Sequence, residues 1–141
     1  MEGGRWRLIG AHERIDGRFR NGVAEGFPDS PPDGQVTMWH ANGRKSGEVR
    51  FLAGRPEGVF RGWHENGRLA VEGRIERCQV KRMTLWDDDG RRRFVASEDA
   101  LIGYDENGLQ RDYSTDEIFN ILGRNAFHFW VMSARRATCR E

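Results

Sequence analysis

The sequence has no long apolar run, and it contains few cysteines. No apolar stretch approaches the roughly 18 residues that a membrane-spanning helix needs. The N-terminus lacks the apolar stretch of a secretory signal. Cys78 and Cys139 share no motif spacing, which favours free thiols over a disulfide framework. We therefore predict a cytoplasmic protein with free thiols and without a transmembrane segment, whose membrane contacts, if any, are peripheral.

Net charge and catalytic motifs are also scarce. The 23 Lys and Arg residues nearly balance the 22 Asp and Glu residues, which leaves a net charge of +1. No global field therefore draws the chain toward nucleic acid or an anionic membrane. The sequence contains no GxSxG, HExxH or P-loop motif, and no base is specified beside Cys78. We predict no enzymatic activity, no catalytic residues and no cofactor.

What the chain does contain is glycine, charge and an internal repeat. Its 18 glycines and 32% charged residues favour an antiparallel sheet with many turns and one solvated face. The segment PDGQVTMWHANGRK at 32–45 aligns with PEGVFRGWHENGRL at 56–69 without a gap, at an offset of 24 residues. LWDDDGRR at 85–92 and GYDENGLQ at 103–110 keep parts of the unit. We place four units near 15–51, 52–75, 76–97 and 98–113.

Each unit is predicted to form a β-hairpin. Asn-Gly at 42/43, 66/67 and 107/108 and Asp-Gly at 89/90 are typical of tight primed turns. After the turn, side chains alternate between faces, with Leu69, Val71, Gly73 and Ile75 on one face and Ala70, Glu72, Arg74 and Glu76 on the other. The segment FPDSPPDG at 27–34 is interpreted as an inserted hairpin loop. Stacked hairpins predict a mainly β fold, an elongated and twisted antiparallel meander within residues 1–113.

Residues 114–141 are predicted to form a C-terminal helical cap. Ser114 and Glu117 have the spacing of a capping box, and apolar residues follow at spacings of three and four. These positions are Ile118, Phe119, Leu122, Ala126, Phe129, Trp130 and Ser133, interrupted by Gly123, with Arg135 and Arg136 near the end. One helix or two would fit. The segment either covers the open edge of the last hairpin or joins a partner.

The repeated hexapeptides carry a family resemblance. WHANGR at 39–44 and WHENGR at 63–68 repeat with an EG before the next strand. Over about residues 15–113 the chain thereby resembles the MORN-repeat variant of the YwqK-type bacterial antitoxin family. The resemblance implies an antitoxin or immunity protein that neutralises a toxin by direct contact. MORN-type repeats also occur on membrane-associated scaffolds, so peripheral lipid binding is the alternative.

Equivalent positions in the units define the predicted partner-binding site. An aromatic row is expected either in the core or along a binding groove, because tryptophan is favoured as an interface anchor. His40 and His64 also align, but a zinc site needs three or four ligands, and we predict no metal. The candidate partner-binding residues are Trp39, His40, Trp63, His64, Trp86, Asp87, Asp88, Asp89 and Tyr104.

The acidic segment from 87 to 117 is the other lead. It carries ten acidic and four basic side chains, and Asp87, Asp88 and Asp89 are placed at a hairpin tip. Clustered acids would attract a basic protein, such as a nuclease or deaminase toxin domain; otherwise they are simply solvated. Nucleic-acid binding through Arg44, Arg68 and Arg91 beside the tryptophans is a third possibility, disfavoured by the near-neutral charge. The sequence does not indicate an oligomeric state.

Overall fold

The protein is a single antiparallel sheet with a short helix after it. Its structure, a computed structural model, describes residues 4–20, 23–122, 131, 132, 134, 135 and 139, apart from the side chains of Phe119 and Leu122. Within these residues the strands are β1 (Arg5–Gly10), β2 (Arg14–Arg20), β3 (Val23–Ala24), β4 (Gly34–Trp39), β5 (Lys45–Leu52), β6 (Arg55–Trp63), β7 (Leu69–Glu76), β8 (Gln79–Trp86), β9 (Arg92–Ser97) and β10 (Leu101–Gly103), and the helix is α1 (Thr115–Leu122). The predicted mainly β meander with a C-terminal helix is confirmed.

From β4 to β10 each strand pairs with the next, but the first three strands do not follow this order. The sheet runs β10-β9-β8-β7-β6-β5-β4-β1-β2-β3, so β1 lies between β4 and β2. The chain therefore leaves β3 at the sheet edge and returns to β4. In the returning segment, Phe27 packs against Trp6 and Phe51, with ring centroids 5.0 and 5.6 Å apart. The segment at 27–34, predicted as a hairpin loop, is instead a crossover.

One face of the sheet, the inner face, carries the core. On it Phe60 lies over Gly73 of the next strand, where an added Cβ would come within 2.5 Å of Phe60 Cζ. Glycine is therefore required there by packing. The described residues after β10 pack on this face: Val131 is fully buried, and Ile118 and Ile121 pack against the core. The buried core residues are Trp6, Leu8, Phe19, Val36, Met38, Val49, Phe51, Phe60, Val71, Ile75, Met83, Leu85, Phe94 and Val131.

The face opposite the core is the outer face. A β-bulge lies next to each tip, where one strand has an extra residue. Gly62 pairs with Val71 and Trp63 pairs with Leu69, so Ala70 is an extra residue in β7. The alternation predicted for residues 71–76 is confirmed. It is wrong for Leu69 and Ala70, because a bulge reverses the faces of the residues before it: Ala70 is buried at 1% exposure, and Leu69 lies beside Trp63. The same shift follows Met38 in β4 and Leu85 in β8.

The Asn-Gly tips are not the primed two-residue turns that the sequence predicted. In the first tip the Gly43 N–H donates to the His40 carbonyl at 3.0 Å, and Gly43 has a φ of 86° whereas Asn42 does not have a positive φ. This geometry fits a type I turn followed by a glycine bulge. Turns with two positive φ values lie at the other end of the sheet, at Ala53 with Gly54 and at Arg77 with Cys78.

Arg77 offers a test of this turn assignment. Its φ of 50° lies in the left-handed region, which Asn tolerates better than Arg. We expect Arg77→Asn to raise the free energy of unfolding in urea by up to about 1 kcal/mol. Arg74→Asn, in the middle of β7, is the matched control and should give no gain. Equal stabilisation by both variants would contradict the assignment.

The start of α1 agrees with the sequence. The Glu117 N–H donates to Ser114 Oγ at 3.2 Å, and the Ser114 N–H donates to Glu117 Oε1 at 3.5 Å. The predicted capping box is confirmed. Residues 131, 132, 134 and 135 are also helical, but Gly123, Ala126, Phe129, Trp130, Ser133 and Arg136 lie outside the described residues. In the described part of the chain no helix has the length and apolarity to cross a membrane.

The two cysteines form a disulfide, so the prediction of free thiols is wrong. Cys78 and Cys139 are 61 residues apart in sequence, with Cα atoms 5.6 Å apart. Arg135 Nη1 donates to the Cys78 carbonyl at 2.8 Å, which holds the same segment beside the β7–β8 turn. The pairing depends on the return of the C-terminal segment, which no local spacing encodes. Disulfides persist mainly in oxidising compartments, so this bond does not support the cytoplasmic location. That location stays a prediction.

Candidate functional site

The asparagine of each hexapeptide ties its tip to the next one. Asn42 Nδ2 donates to the Glu65 carbonyl at 2.9 Å, and Asn66 Nδ2 donates to the Asp88 carbonyl at 2.7 Å. In both tips Oδ1 accepts the backbone N–H of the arginine two residues later, such as Arg68, at 2.9 Å. The side chain thus shapes its own turn and joins the neighbouring hairpin.

The arginines act in the same way. Arg68 Nη1 donates to the Asp89 carbonyl at 2.6 Å, and Arg91 Nη1 donates to the Glu106 carbonyl at 2.9 Å. Arg44 makes a longer bond of this kind, at 3.5 Å, to the second tip. The basic row proposed for nucleic-acid contact therefore lies along the tips, where its guanidinium groups bridge neighbouring hairpins.

The histidines also contact the next hairpin. Nε2 of His40 lies 2.7 Å from the Trp63 carbonyl oxygen, and Nε2 of His64 lies 2.9 Å from that of Trp86. Because a carbonyl oxygen only accepts, each Nε2 must carry the proton, which leaves Nδ1 alone for a metal. Among the described residues no group of three or more His, Cys, Asp or Glu side chains is placed to hold a metal ion.

This bonding predicts unequal roles for two asparagines. Asn66→Ala removes both the turn bond and the bond to the third tip, so we expect it to lower the free energy of unfolding by about 1–2 kcal/mol. Asn107 occupies the same place in the last tip, but there the Asp105 carboxylate accepts the Leu109 N–H at 3.0 Å, and the Asn107 side chain makes neither bond in the described chain. Asn107→Ala is therefore the matched control, with an expected loss below about 0.5 kcal/mol. Equal losses in urea unfolding would refute the bridging role.

The third unit replaces the histidine with an ion pair. Asp87 stands at the histidine position, and both its carboxylate oxygens accept from Arg93 Nη1, at 3.2 and 3.1 Å. Arg93 Nη2 donates to Tyr113 Oη at 3.2 Å, and this hydroxyl donates to the Tyr104 carbonyl at 2.6 Å. The side chains of Arg93 and Asp87 are only 17% and 28% exposed. Asp87, predicted to contact a partner, is thus held in an internal network.

Burial and hydrogen bonding oppose each other at Arg93. Burial lowers its pKa, but the bonds with Tyr113 and Asp87 more than offset this effect and raise the pKa above the usual value for arginine. The guanidinium therefore stays charged. Its Nε has no acceptor among the described residues. A cavity of about 220 Å³ lies beside it, lined in part by His64 and by Ile121 of α1.

The other two aspartates of the tip differ from Asp87. The Asp89 carboxylate accepts the Arg91 N–H at 3.0 Å and lies 3.4 Å from the Arg91 Nε. Asp88 is bonded through its carbonyl to Asn66, and its carboxylate has no cation partner in the described chain. Asp88 is exposed, and Asp89 is also exposed. The acidic tip therefore presents one aspartate that is free of internal ion pairs.

The aromatic row predicted from the repeat lies on the outer face. Trp39, Trp63 and Trp86 end β4, β6 and β8, and Tyr104 follows β10. All four are partly exposed. Because they stand on every second strand, neighbouring rings are spaced by about 10 Å. Strand pairing places Arg5 and Lys45 on either side of Trp39, Leu69 beside Trp63 and Arg92 beside Trp86.

Cations cover most of these rings, which sequence reasoning missed. A cation over an aromatic face is attracted by the ring quadrupole. In the described chain Trp86 is the one ring of the row without such a cation. The pairs are Arg5 and Arg7 on Trp39 at 5.2 Å each, Lys45 on Trp63 at 5.3 Å and Arg92 on Tyr104 at 4.2 Å. The signal lay in the strand order and the bulges, which bring residues distant in sequence side by side.

A second row of charged and polar residues runs beside the aromatic row. Arg61 Nε donates to Glu72 Oε2 at 2.6 Å, and this bond raises the pKa of Arg61 above its usual value. Glu48 pairs with Lys45 at 3.1 Å and with Arg61 at 3.7 Å. At the far end, the hydrogen bond from Arg7 lowers the pKa of Asp16. The carboxylates of this row are thus already paired.

Two open depressions flank Trp86 on the outer face. One, of about 470 Å³, is lined by Val59, Arg61, Glu72, Gly73, Arg82, Thr84, Trp86 and Arg92. The other, of about 540 Å³, lies between Trp86 and Tyr104 and reaches the last tip. The outer face therefore offers a ring with space on both sides, near several guanidinium groups.

Comparison with known proteins gave little. No protein-family model matches the chain, and no match was found among curated proteins. Among solved structures, a chain from the "Crystal structure of GtfA/B complex bound to UDP and GlcNAc" is similar at 13% identity and a TM-score of 0.27. That match covers 77% of this chain and 31% of the other.

Proposed function

We propose that this protein is a protein-binding repeat module and that its binding surface is the aromatic row of the outer face. The observation that carries the proposal is the placement of Trp39, Trp63, Trp86 and Tyr104, partly exposed and in one line. The described helical residues pack on the inner face, so they leave this row open. Partly exposed tryptophans beside arginines are the composition of interface anchors.

The more specific form of the proposal is an antitoxin or immunity protein that neutralises a toxin by direct contact. Its support is the resemblance of WHANGR and WHENGR to the YwqK-type repeat. The repeated polar residues of these hexapeptides hold the hairpins together, so the unit specifies a scaffold. Binding by such a scaffold needs no catalytic group. The exposed aromatic row contacts the partner.

A pull-down with matched variants tests the binding surface. We expect wild-type bait to recover a partner from a lysate of its own host and Trp39→Ala with Trp63→Ala to lose it. Leu109→Ala is the control, because Leu109 is apolar and 65% exposed but lies outside the row. Recovery of no partner, or equal recovery by all three baits, would contradict the proposal. Rescue of growth from a toxin encoded beside the gene would support the antitoxin form.

Peripheral lipid binding is the alternative function. Flotation with vesicles of phosphatidylcholine and with vesicles containing phosphatidylserine separates it from the proposal. If the protein acts on a protein partner, it should stay at the bottom of both gradients. Flotation that increases with the phosphatidylserine fraction would favour the membrane-associated scaffold instead.

A further inference from the structure

The outer-face depression of about 470 Å³ beside Trp86 has an excess of positive charge. Its lining includes three arginines, Arg61, Arg82 and Arg92, and one acidic residue, Glu72. Glu72 is already bound to Arg61 through a 2.6 Å hydrogen bond. In the described chain Arg82 and Arg92 have no carboxylate partner, which leaves two unbalanced positive charges beside an uncovered indole ring. The site therefore fits an anion joined to an apolar group.

Several other arginines of the molecule are already used in internal bonds. Arg68 and Arg91 bridge tips, and Arg93 is paired with Asp87. Arg92 lies over the Tyr104 ring at 4.2 Å, which fixes its plane but leaves its charge unneutralised. Arg82 and Arg92 therefore remain available for charge complementarity with a binding partner.

The pattern of charge favours a protein over a nucleic acid. The paired carboxylates of Glu48 and Glu72 lie in the centre of the outer face, next to Arg61. A strand of phosphates carries charge at every step and would run over these carboxylates at an electrostatic cost. A polypeptide can place carboxylates opposite Arg82 and Arg92 and leave the other positions neutral.

We propose that this depression docks an acidic segment of the partner protein, with carboxylates on Arg82 and Arg92 and an apolar or aromatic side chain against Trp86. The inference rests on the proposed protein-binding function and names the chemistry of the partner. It differs from the expectation of a basic partner, which was drawn from the acidic tip. The aromatic row provides contact area, and the two arginines select acidic residues.

A fluorescent peptide tests the docking site directly. The probe is Gly-Asp-Asp-Phe-Asp-Asp-Gly, and its lysine counterpart and an oligothymidylate of similar length are the comparison ligands. We expect wild-type protein to bind the acidic peptide in fluorescence anisotropy and to ignore the lysine peptide. Arg82→Glu and Trp86→Ala should each weaken binding about tenfold or more. Trp86→Phe, which keeps a ring, should retain most of the affinity.

Arg50→Glu is the matched control for Arg82→Glu. Arg50 is also an exposed arginine of the outer face without an ion pair in the described chain, but it lies three strands away, about 14 Å from Arg82 across the sheet. We expect its affinity for the acidic peptide to change less than about twofold. Thermal unfolding and circular dichroism of each variant show whether the fold is retained. If a variant unfolds, its loss of binding is not counted. The milder variants Trp86→Phe and Arg82→Gln are then used in its place.

Three results would overturn the inference. These are absence of binding to the acidic peptide, equal loss in Arg50→Glu and Arg82→Glu, and tighter salt-sensitive binding of the oligothymidylate. The last result would assign the face to nucleic acid. The pull-down separates this failure from failure of the proposed function. If Arg82→Glu bait still recovers the partner that Trp39→Ala with Trp63→Ala loses, the aromatic row binds protein but this depression does not select acid.

Discussion

Replacing both cysteines by serine, in the double variant Cys78→Ser with Cys139→Ser, is expected to lower the free energy of unfolding by about 4 kcal/mol. The bond joins residues 61 positions apart. In the chain-entropy account, a closed loop of that length strongly restricts the unfolded chain, and its loss returns that freedom. The loss is large compared with the total stability of a domain of this size.

Urea unfolding with and without a reductant measures this effect. Reduced wild type should match the double variant in midpoint, and the variant should not respond to the reductant. Each single serine variant should behave like the double one, because either removes the bond. A wild type that is insensitive to reduction would show that the packing of Val131 against the core holds the C-terminal segment without the covalent link.

The meander was predictable because its signals are local and repeated. An offset of 24 residues places WHANGR and WHENGR at equal positions of alternate strands, which is why the aromatic row follows from the repeat alone. The capping box of Ser114 and Glu117 is likewise a local signal. The place of β1 between β4 and β2 was not predictable, since it depends on Phe27 folding back over Trp6 and Phe51.

The functional roles within the hexapeptide were harder to foresee. The side chains of His64 and Asn66 bond to carbonyl groups 22 residues away. Because every residue has a backbone carbonyl, the sequence does not indicate which one a side chain will reach. The positions of Lys45 and Arg92 beside the rings depend on bulges after Met38 and Leu85, each of which shifts the pairing by one residue. Sequence alone therefore located the aromatic row, whereas the bonds that join the hexapeptides to one another came only from the structure; partner binding by these residues stays a prediction.

Asp87→Ala is expected to lower the free energy of unfolding by about 2–3 kcal/mol, because it leaves the half-buried Arg93 charge without its carboxylate. Arg93 donates to both oxygens of Asp87, and its side chain is only 17% exposed. Asp88→Ala is the matched control. Its carboxylate has no cation partner in the described chain, so its removal should change stability by less than about 0.5 kcal/mol.

The double variant Asp87→Ala with Arg93→Met completes the test. Methionine replaces the buried cation with an apolar chain, so we expect the pair of changes to recover at least half of the loss seen with Asp87→Ala. If the double variant is instead less stable than Asp87→Ala, the Arg93 bond to Tyr113 supports the last hairpin independently of Asp87. In the pull-down, an Asp88→Ala bait also separates the acidic tip from the scaffold. If it loses the partner while its stability is unchanged, Asp88 contacts the partner.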